Sequence, residues 1–286
     1  MAGTPTNRTN ITLPVEVSAE ILAKTQEASA VMTLARQIQL PGRGVAIPVI
    51  TADPEAAWVG ETEAKAVANP SLATKTMEPY KLAVIVPFSN EFRRDAAALY
   101  DELVRRLPLA LAQKFDATVM GAVAAPGSNF DSFASATAQD IKDPNTYAGL
   151  VAADGDIAAH GGIMNGIALS PQGKGTLLGA VDGNKRPLFI NNVSEGAVPM
   201  VLGARTELSK GMYNASNNSV GVAGDWSQAM YGTVEGVVID YSSDATLKSG
   251  KTEINLFQQN MFAVRAEIEV GFRADVACFN RLTVAE

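Results

Sequence analysis

Cysteine and histidine are almost absent from this chain. The single cysteine, Cys278, excludes an internal disulfide. It stands in the apolar run Val276-Ala277-Cys278-Phe279 and reads as a small buried hydrophobe. The single histidine, His160, stands beside Gly161-Gly162 and cannot build a His-rich metal site. No run approaches the roughly twenty apolar residues of a membrane-spanning helix. Met1 to Asn10 is polar and has no apolar centre, so no secretory signal is expected and synthesis in the cytoplasm is. The sequons at Asn7, Asn10, Asn192, Asn214 and Asn217 are then read as chance. A surplus of basic residues is also missing. Lys and Arg number 23 against 30 Asp and Glu, a net charge of −7 that suits solubility better than phosphate neutralisation. Catalytic signatures are missing as well: Gly-x-Ser-x-Gly and His-Glu-x-x-His do not occur, and the carboxylates form no obvious acid–base pair. Gly173-Lys174-Gly175-Thr176 lacks the spacing of a phosphate loop and reads as a helix entry. These absences argue against an enzyme and against any cofactor or metal.

What is present is material for a core and one segment that cannot use it. The chain has 286 residues, 47% of them hydrophobic and 19% charged, enough for one large domain or two intimate ones. Between the strand-like runs Val45–Ile50 and Lys81–Val86 lies a stretch rich in Ala, Glu, Lys and Thr, with few large apolar side chains. An arm of that composition, from about Thr51 to Met77, cannot bury itself against its own domain. It needs neighbours.

Periodicity supplies the other elements. Ile21, Leu22, Ala28, Val31, Met32 and Ala35 give a helix from about Val15 to Leu34 an apolar face. Leu99, Leu103, Leu107, Leu111 and Phe115 form one stripe on a long helix from about Asp95 to Val123, with Pro108 expected to kink or restart it. Further helices are expected at about Gly149–His160 and from Ser170-Pro171 to Ala180, with strands at Gly166–Leu169 and Val234–Tyr241. Glu253–Gln259 reads as a short helix or loop. Along Met261–Phe272, Val264, Ala266, Ile268 and Val270 alternate with Arg265, Glu267 and Glu269, the pattern of a half-exposed strand.

In order and separation, these segments resemble the major capsid proteins of tailed phages, the Hong Kong 97 fold. The resemblance covers nearly the whole chain from about Leu13. It is carried by the Val45–Ile50 strand, Trp58-Val59-Gly60-Glu61, Pro79-Tyr80-Lys81-Leu82, Ser89-Asn90-Glu91 and the long helix. Late in the chain, Gly224-Asp225-Trp226, Tyr231-Gly232 and Asn260-Met261-Phe262-Ala263-Val264-Arg265-Ala266-Glu267 add to it. It implies an α+β fold with an N-terminal arm and helix at 1–40 and an extended β-hairpin loop at 41–79. A peripheral domain with a long spine helix would occupy 80–148 and 225–271. An axial domain with a mixed sheet would occupy 149–224 and 272–286. The loop, with Trp58, Glu61 and Lys65, would lie over an adjacent subunit.

The implied function is self-assembly into pentamers and hexamers of an icosahedral shell. That shell would enclose double-stranded phage DNA without sequence-specific binding, in a virion built from protein made in the host cytoplasm. The expected partners are further copies, a separate scaffold protein, a portal and a decoration protein, with no membrane. Some members of the family join a loop Lys to an Asn of a neighbour by an isopeptide bond, with a Glu as base. Lys65, Asn260 and Glu267 stand where the resemblance would place them, although the Ala-rich surroundings of Lys65 match weakly. An encapsulin-like nanocompartment shell is the alternative within the fold. A soluble enzyme with an unrecognised site is the alternative outside it, and would run as a small oligomer on a sizing column.

Overall fold

The computed structural model describes residues 15–52, 58, 71–91, 96–182, 184–189, 200–249 and 252–284. Two sheets, joined end to end through an aromatic cluster, organise them.

The first sheet is built on one long strand, β14 (Met261–Ala274). One edge of β14 pairs antiparallel with β4 (Tyr80–Ser89), from Met261↔Ser89 to Val270↔Tyr80. Its other edge takes β11 (Val238–Ser242) and then β10 (Ala229–Thr233), and β1 (Arg36–Gln39) adds in parallel to β10. The alternation expected along β14 is present: Val264, Ala266, Ile268 and Val270 are buried while Arg265 is exposed. The buried face receives α1 (Val15–Ala28) and α3 (Ala96–Val119), with Ile21, Leu107 and Leu111 packed on Phe262, Val264 and Ile268.

Two helical expectations change. The single helix over 15–34 is two, α1 and α2 (Ala30–Leu34), because Ser29 leaves helical geometry and caps α2 by accepting from the Met32 amide. The Ser29 hydroxyl donates to Asp116, and the Ala30 amide donates to the same carboxylate at 3.1 Å. The long helix is continuous through Pro108 rather than restarted there. Pro108 removes one backbone hydrogen bond, and the burial of Leu107 and Leu111 on either side outweighs that local loss.

The second sheet has the order β5-β15-β9-β6-β8-β7: β5 (Thr137–Asp140), β15 (Phe279–Thr283), β9 (Ser219–Gly224), β6 (Gly166–Leu169), β8 (Ala204–Leu208) and β7 (Met200–Val201). β6 and β9 are buried along their whole lengths, as central strands of a mixed sheet covered on both faces. α4 (Thr146–Ala159) and α5 (Pro171–Gly179) contribute Leu150, Ile157 and Leu177 to this core. Gly173 to Thr176 lie within α5 itself, past the Ser170 cap.

Between the sheets, Phe133, Trp226, Phe272 and Phe279 form one cluster, with the Phe133 and Phe279 rings 4.5 Å apart. Two antiparallel crossovers run past it. One leads from β9 through Asp225 to β10, the other from β14 through Asp275 to β15. They bond to each other: the Asp225 amide donates to the Cys278 carbonyl (3.1 Å) and the Asp275 amide to the Gln228 carbonyl (3.2 Å). In each, the aspartate caps a single 3-10 turn. Pairing of β5 with β15 places Thr137–Asp140 in the second sheet, ahead of the sequence boundary at 148. Phe272–Ala274 remain in the first sheet, beyond the boundary at 271, because β10 pairs there.

Two smaller hairpins complete the description. β2 (Val45–Ala52) pairs with β3 (Ser71–Met77), and β12 (Thr246–Ser249) with β13 (Thr252–Asn255). β13 replaces the start of the helix or loop expected at 253–259, and turns occupy the rest.

Candidate assembly surface

The β2–β3 hairpin is poorly able to stabilise itself. Its strands register from Val45↔Met77 to Ala52↔Ser71 and form a two-stranded sheet of their own, without a third strand among the described residues. A lone hairpin is marginal in water unless something covers it. At its root, Met77 is fully buried and Gly44 adopts φ +79°, where a side chain would meet the Met77 carbonyl. Trp58, on the connection between the strands, is fully exposed. An indole in water is an unused contact surface, and aromatic side chains of this size dominate protein interfaces. Glu61 and Lys65 lie outside the described residues, as does the N-terminal arm through residue 14.

Asn260 sits in the turn that precedes β14, with φ +53°. Its backbone carbonyl accepts from the Asn90 amide (3.0 Å), and its side-chain oxygen accepts from Asn90 Nδ2 (2.7 Å). That second bond draws electron density from the Asn260 carboxamide carbon. Asn90 Oδ1 is buried and has no hydrogen-bond partner among the described residues. Glu267 is on β14, opposite Val238 and Ala83, and its carboxylate is 3.2 Å from Arg265 Nε. Seven residues of strand separate it from Asn260, about 23 Å at the usual rise. One chain therefore does not bring Asn260 and Glu267 together.

Other chemically distinctive groups are His160, Cys278 and Asp225. His160 ends α4, half exposed, with Nδ1 2.8 Å from the Asp156 carbonyl. Cys278 is buried, and burial, with Asp275 and Asp225 adding, pushes its thiol above the usual range. Among the described residues no group of three His, Cys, Asp or Glu could hold a metal. Burial pushes the Asp225 carboxyl up, but bonds from Ser227, the Ile163 amide and Asn165 outweigh it and hold the carboxyl below its ordinary value. Asp225 thus ties the loop before β6 to the crossover, while Trp226 Nε1 donates to the Gly166 carbonyl (2.9 Å).

Large apolar side chains are exposed on the edge of the second sheet and in the turn before β14. Along the β7–β8 edge of the second sheet are Met200 (61% exposed), Leu202 and Leu208; at the turn before β14 stands Phe257 (79% exposed). Sequence reasoning singled out none of these. Phe257 carried a usable signal, an aromatic inside the polar turn Gln258-Gln259-Asn260. Asn90 entered only within the stretch Ser89-Asn90-Glu91 that carries the resemblance, since its partner is 170 residues away.

Comparison with known proteins places this arrangement. The Phage capsid family matches residues 9–276. The probable major capsid protein gp17 of Mycobacterium phage D29 is 29% identical over 295 residues, covering 95% of this chain and 89% of that protein. A solved chain from Microbacterium phage Oxtober96 superposes with a TM-score of 0.72 at 20% identity, covering 100% of this chain and 96% of that one. The capsid of the native GTA particle, computed with C5 symmetry, superposes with a TM-score of 0.63 at 15% identity, covering 99% of this chain and 96% of that one. Two-sheet α+β architecture, the separate two-stranded hairpin and near-full-length family match agree: the chain belongs to the phage capsid family and has the Hong Kong 97-type fold.

Proposed function

We propose that the chain is the major capsid protein of a tailed phage and builds its shell as pentamers and hexamers around double-stranded DNA. The observation that carries the mechanism is the β2–β3 hairpin: a two-stranded element with an exposed Trp58, tied to the body at its root, in a member of a capsid family. The hairpin, with Trp58, Glu61 and Lys65, lies over an adjacent subunit. The second sheet with α4 and α5 is the axial domain, its exposed Met200, Leu202 and Leu208 turned toward other copies around the five- and six-fold axes. The first sheet with α3 is the peripheral domain, and Phe257 meets neighbours at three-fold contacts. Interfaces of this number bury well beyond one standard interface per subunit. Scaffold, portal and decoration proteins are the further partners, and the net charge of −7 lets DNA pack against a wall that does not grip it. The major capsid names of the curated relatives favour a genome container over a nanocompartment for protein cargo.

Negative-stain microscopy of the expressed full chain tests this reading. Shells or five- and six-membered rings support it, and a stable small oligomer at high concentration refutes it. The isopeptide bond is a separate proposal. The Lys65 amine, deprotonated by a Glu of another copy, would attack the Asn260 carboxamide carbon, form an amide and expel ammonia. The hydrogen bond from Asn90 Nδ2 to Asn260 Oδ1 supports it by polarising the carbonyl. On a denaturing gel of boiled shells, a ladder of multimers supports the bond, and a single band at 30.0 kDa removes it.

A further inference from the structure

The hairpin leaves the body at a fixed place, and the question is what sets its direction. β3 makes no main-chain ladder with the first sheet among the described residues. Its ties to β14 are side-chain ties. Arg273, 8% exposed, sends Nε (2.8 Å) and Nη2 to the Thr76 carbonyl of β3. The same guanidinium reaches the loop after α3, with Nη1 on Asp131 Oδ1 (2.8 Å) and Nη2 on Asn129 Oδ1 (2.7 Å). Lys75 Nζ, one residue from Thr76, donates to the Ala274 carbonyl at 3.0 Å.

The loop is in turn locked to β14. β4 stops pairing at Val270, and Asp131 takes its place along the next residues: its amide donates to the Phe272 carbonyl (3.2 Å) and its Oδ2 accepts from the Ala274 amide (3.1 Å). One buried, planar, five-donor side chain thus joins the hairpin root, the loop behind the spine helix and the end of the central strand. Arginine suits this because its fork holds several acceptors at fixed angles, whereas a lysine ammonium is a point charge on a flexible stem.

We infer that Arg273, held by Asp131 and Asn129, is the positioning residue that aims the β2–β3 hairpin at its neighbour. The inference rests on the hairpin contacting an adjacent copy, as proposed above. An arm fixed at its root converts a small angular error there into a large displacement at Trp58, so the clamp governs whether successive copies meet at one repeated angle.

The test is hydrogen–deuterium exchange on the unassembled full chain, combined with electron microscopy of the particles it forms. Arg273→Lys keeps the charge but cannot hold Thr76, Asp131 and Asn129 together. Amides of Leu72 to Met77 should exchange at least tenfold faster, with those of β9 and the 261–270 part of β14 unchanged, and particles should be mixed in size or open. Lys75→Met, on a partly exposed side chain, should move the same amides in the same direction by less. Unchanged hairpin exchange in Arg273→Lys, or uniform closed particles despite faster exchange, overturns the inference. If Arg273→Lys loosens β9 as well, it has misfolded and Lys75→Met decides, unchanged hairpin exchange again being the overturning result. A chain whose residues 53–70 are replaced by a short Gly-Ser link separates the two claims: wild-type assembly by it removes the hairpin contact itself, whatever the exchange data show about the clamp.

Discussion

Asp116 gives the clearest energetic prediction. It lies on α3, is fully buried, and accepts from Ser29, the Ala30 amide and Ser209 at the break between α1 and α2. Burial pushes its carboxyl from 3.8 up to about 6, and the hydrogen bonds pull only partly the other way. Because the folded value is raised, the native state holds a proton that the unfolded chain has released between these two values. The stability linked to Asp116 is therefore full below about pH 4 and is lost as pH rises through 6. A rise of that size corresponds to about 3 kcal/mol, an upper bound for a buried site. Asp116→Asn is near-isosteric and cannot ionise. Its own stability differs from wild type at every pH, because an amide NH2 faces a donor, but the difference should vary with pH. Denaturant unfolding of unassembled subunits from pH 4 to pH 8 reads this directly. Relative to the variant, wild type should lose about 1–3 kcal/mol between pH 4 and 7 and nothing further above it. A wild-type-minus-variant difference that stays flat, or grows with pH, refutes the assignment of a charged, desolvated carboxylate at this junction.

Other substitutions probe packing and assembly separately. Phe133→Ala removes a fully buried ring from between Trp226, Phe272 and Phe279, and should lower unfolding free energy by about 3–5 kcal/mol. A loss under 1 kcal/mol would mean that the cluster does not bind the two sheets together. Gly224→Ala puts a methyl group onto the Phe279 ring and should lower the melting temperature and the soluble yield, whereas Gly175→Ala, in open space on α5, should not. Trp58→Ala should leave the subunit's melting temperature unchanged and reduce the yield of shells at least tenfold, measured by sedimentation; full assembly would remove Trp58 from the contact.

The parts of the fold that the sequence discloses are those whose side chains report their surroundings one by one. β14 alternates because one of its faces is covered by α1 and α3, and the stripe Leu107, Leu111, Phe115 is buried as its spacing implies. The break at Ser29 is invisible to periodicity because apolar spacing continues across it; what stops the helix is a hydroxyl with a carboxylate 87 residues away. β1 and β5 are four-residue strands defined by their pairing with β10 and β15, not by apolar pattern. The hairpin was legible as an arm in need of neighbours, but the direction of its exit depends on Arg273 and Thr76, 197 residues apart. Asn260 was singled out by the family resemblance, whereas its bond to Asn90, 170 residues away, leaves no trace in the sequence pattern.

The central claim is that this subunit is unfinished alone and completes itself against copies through the β2–β3 hairpin. Cryo-electron microscopy of particles formed by the full chain tests it most directly. The account predicts closed shells of repeated pentamers and hexamers in which density for Trp58 rests on an adjacent subunit. Shells in which every hairpin folds back on its own subunit would contradict it.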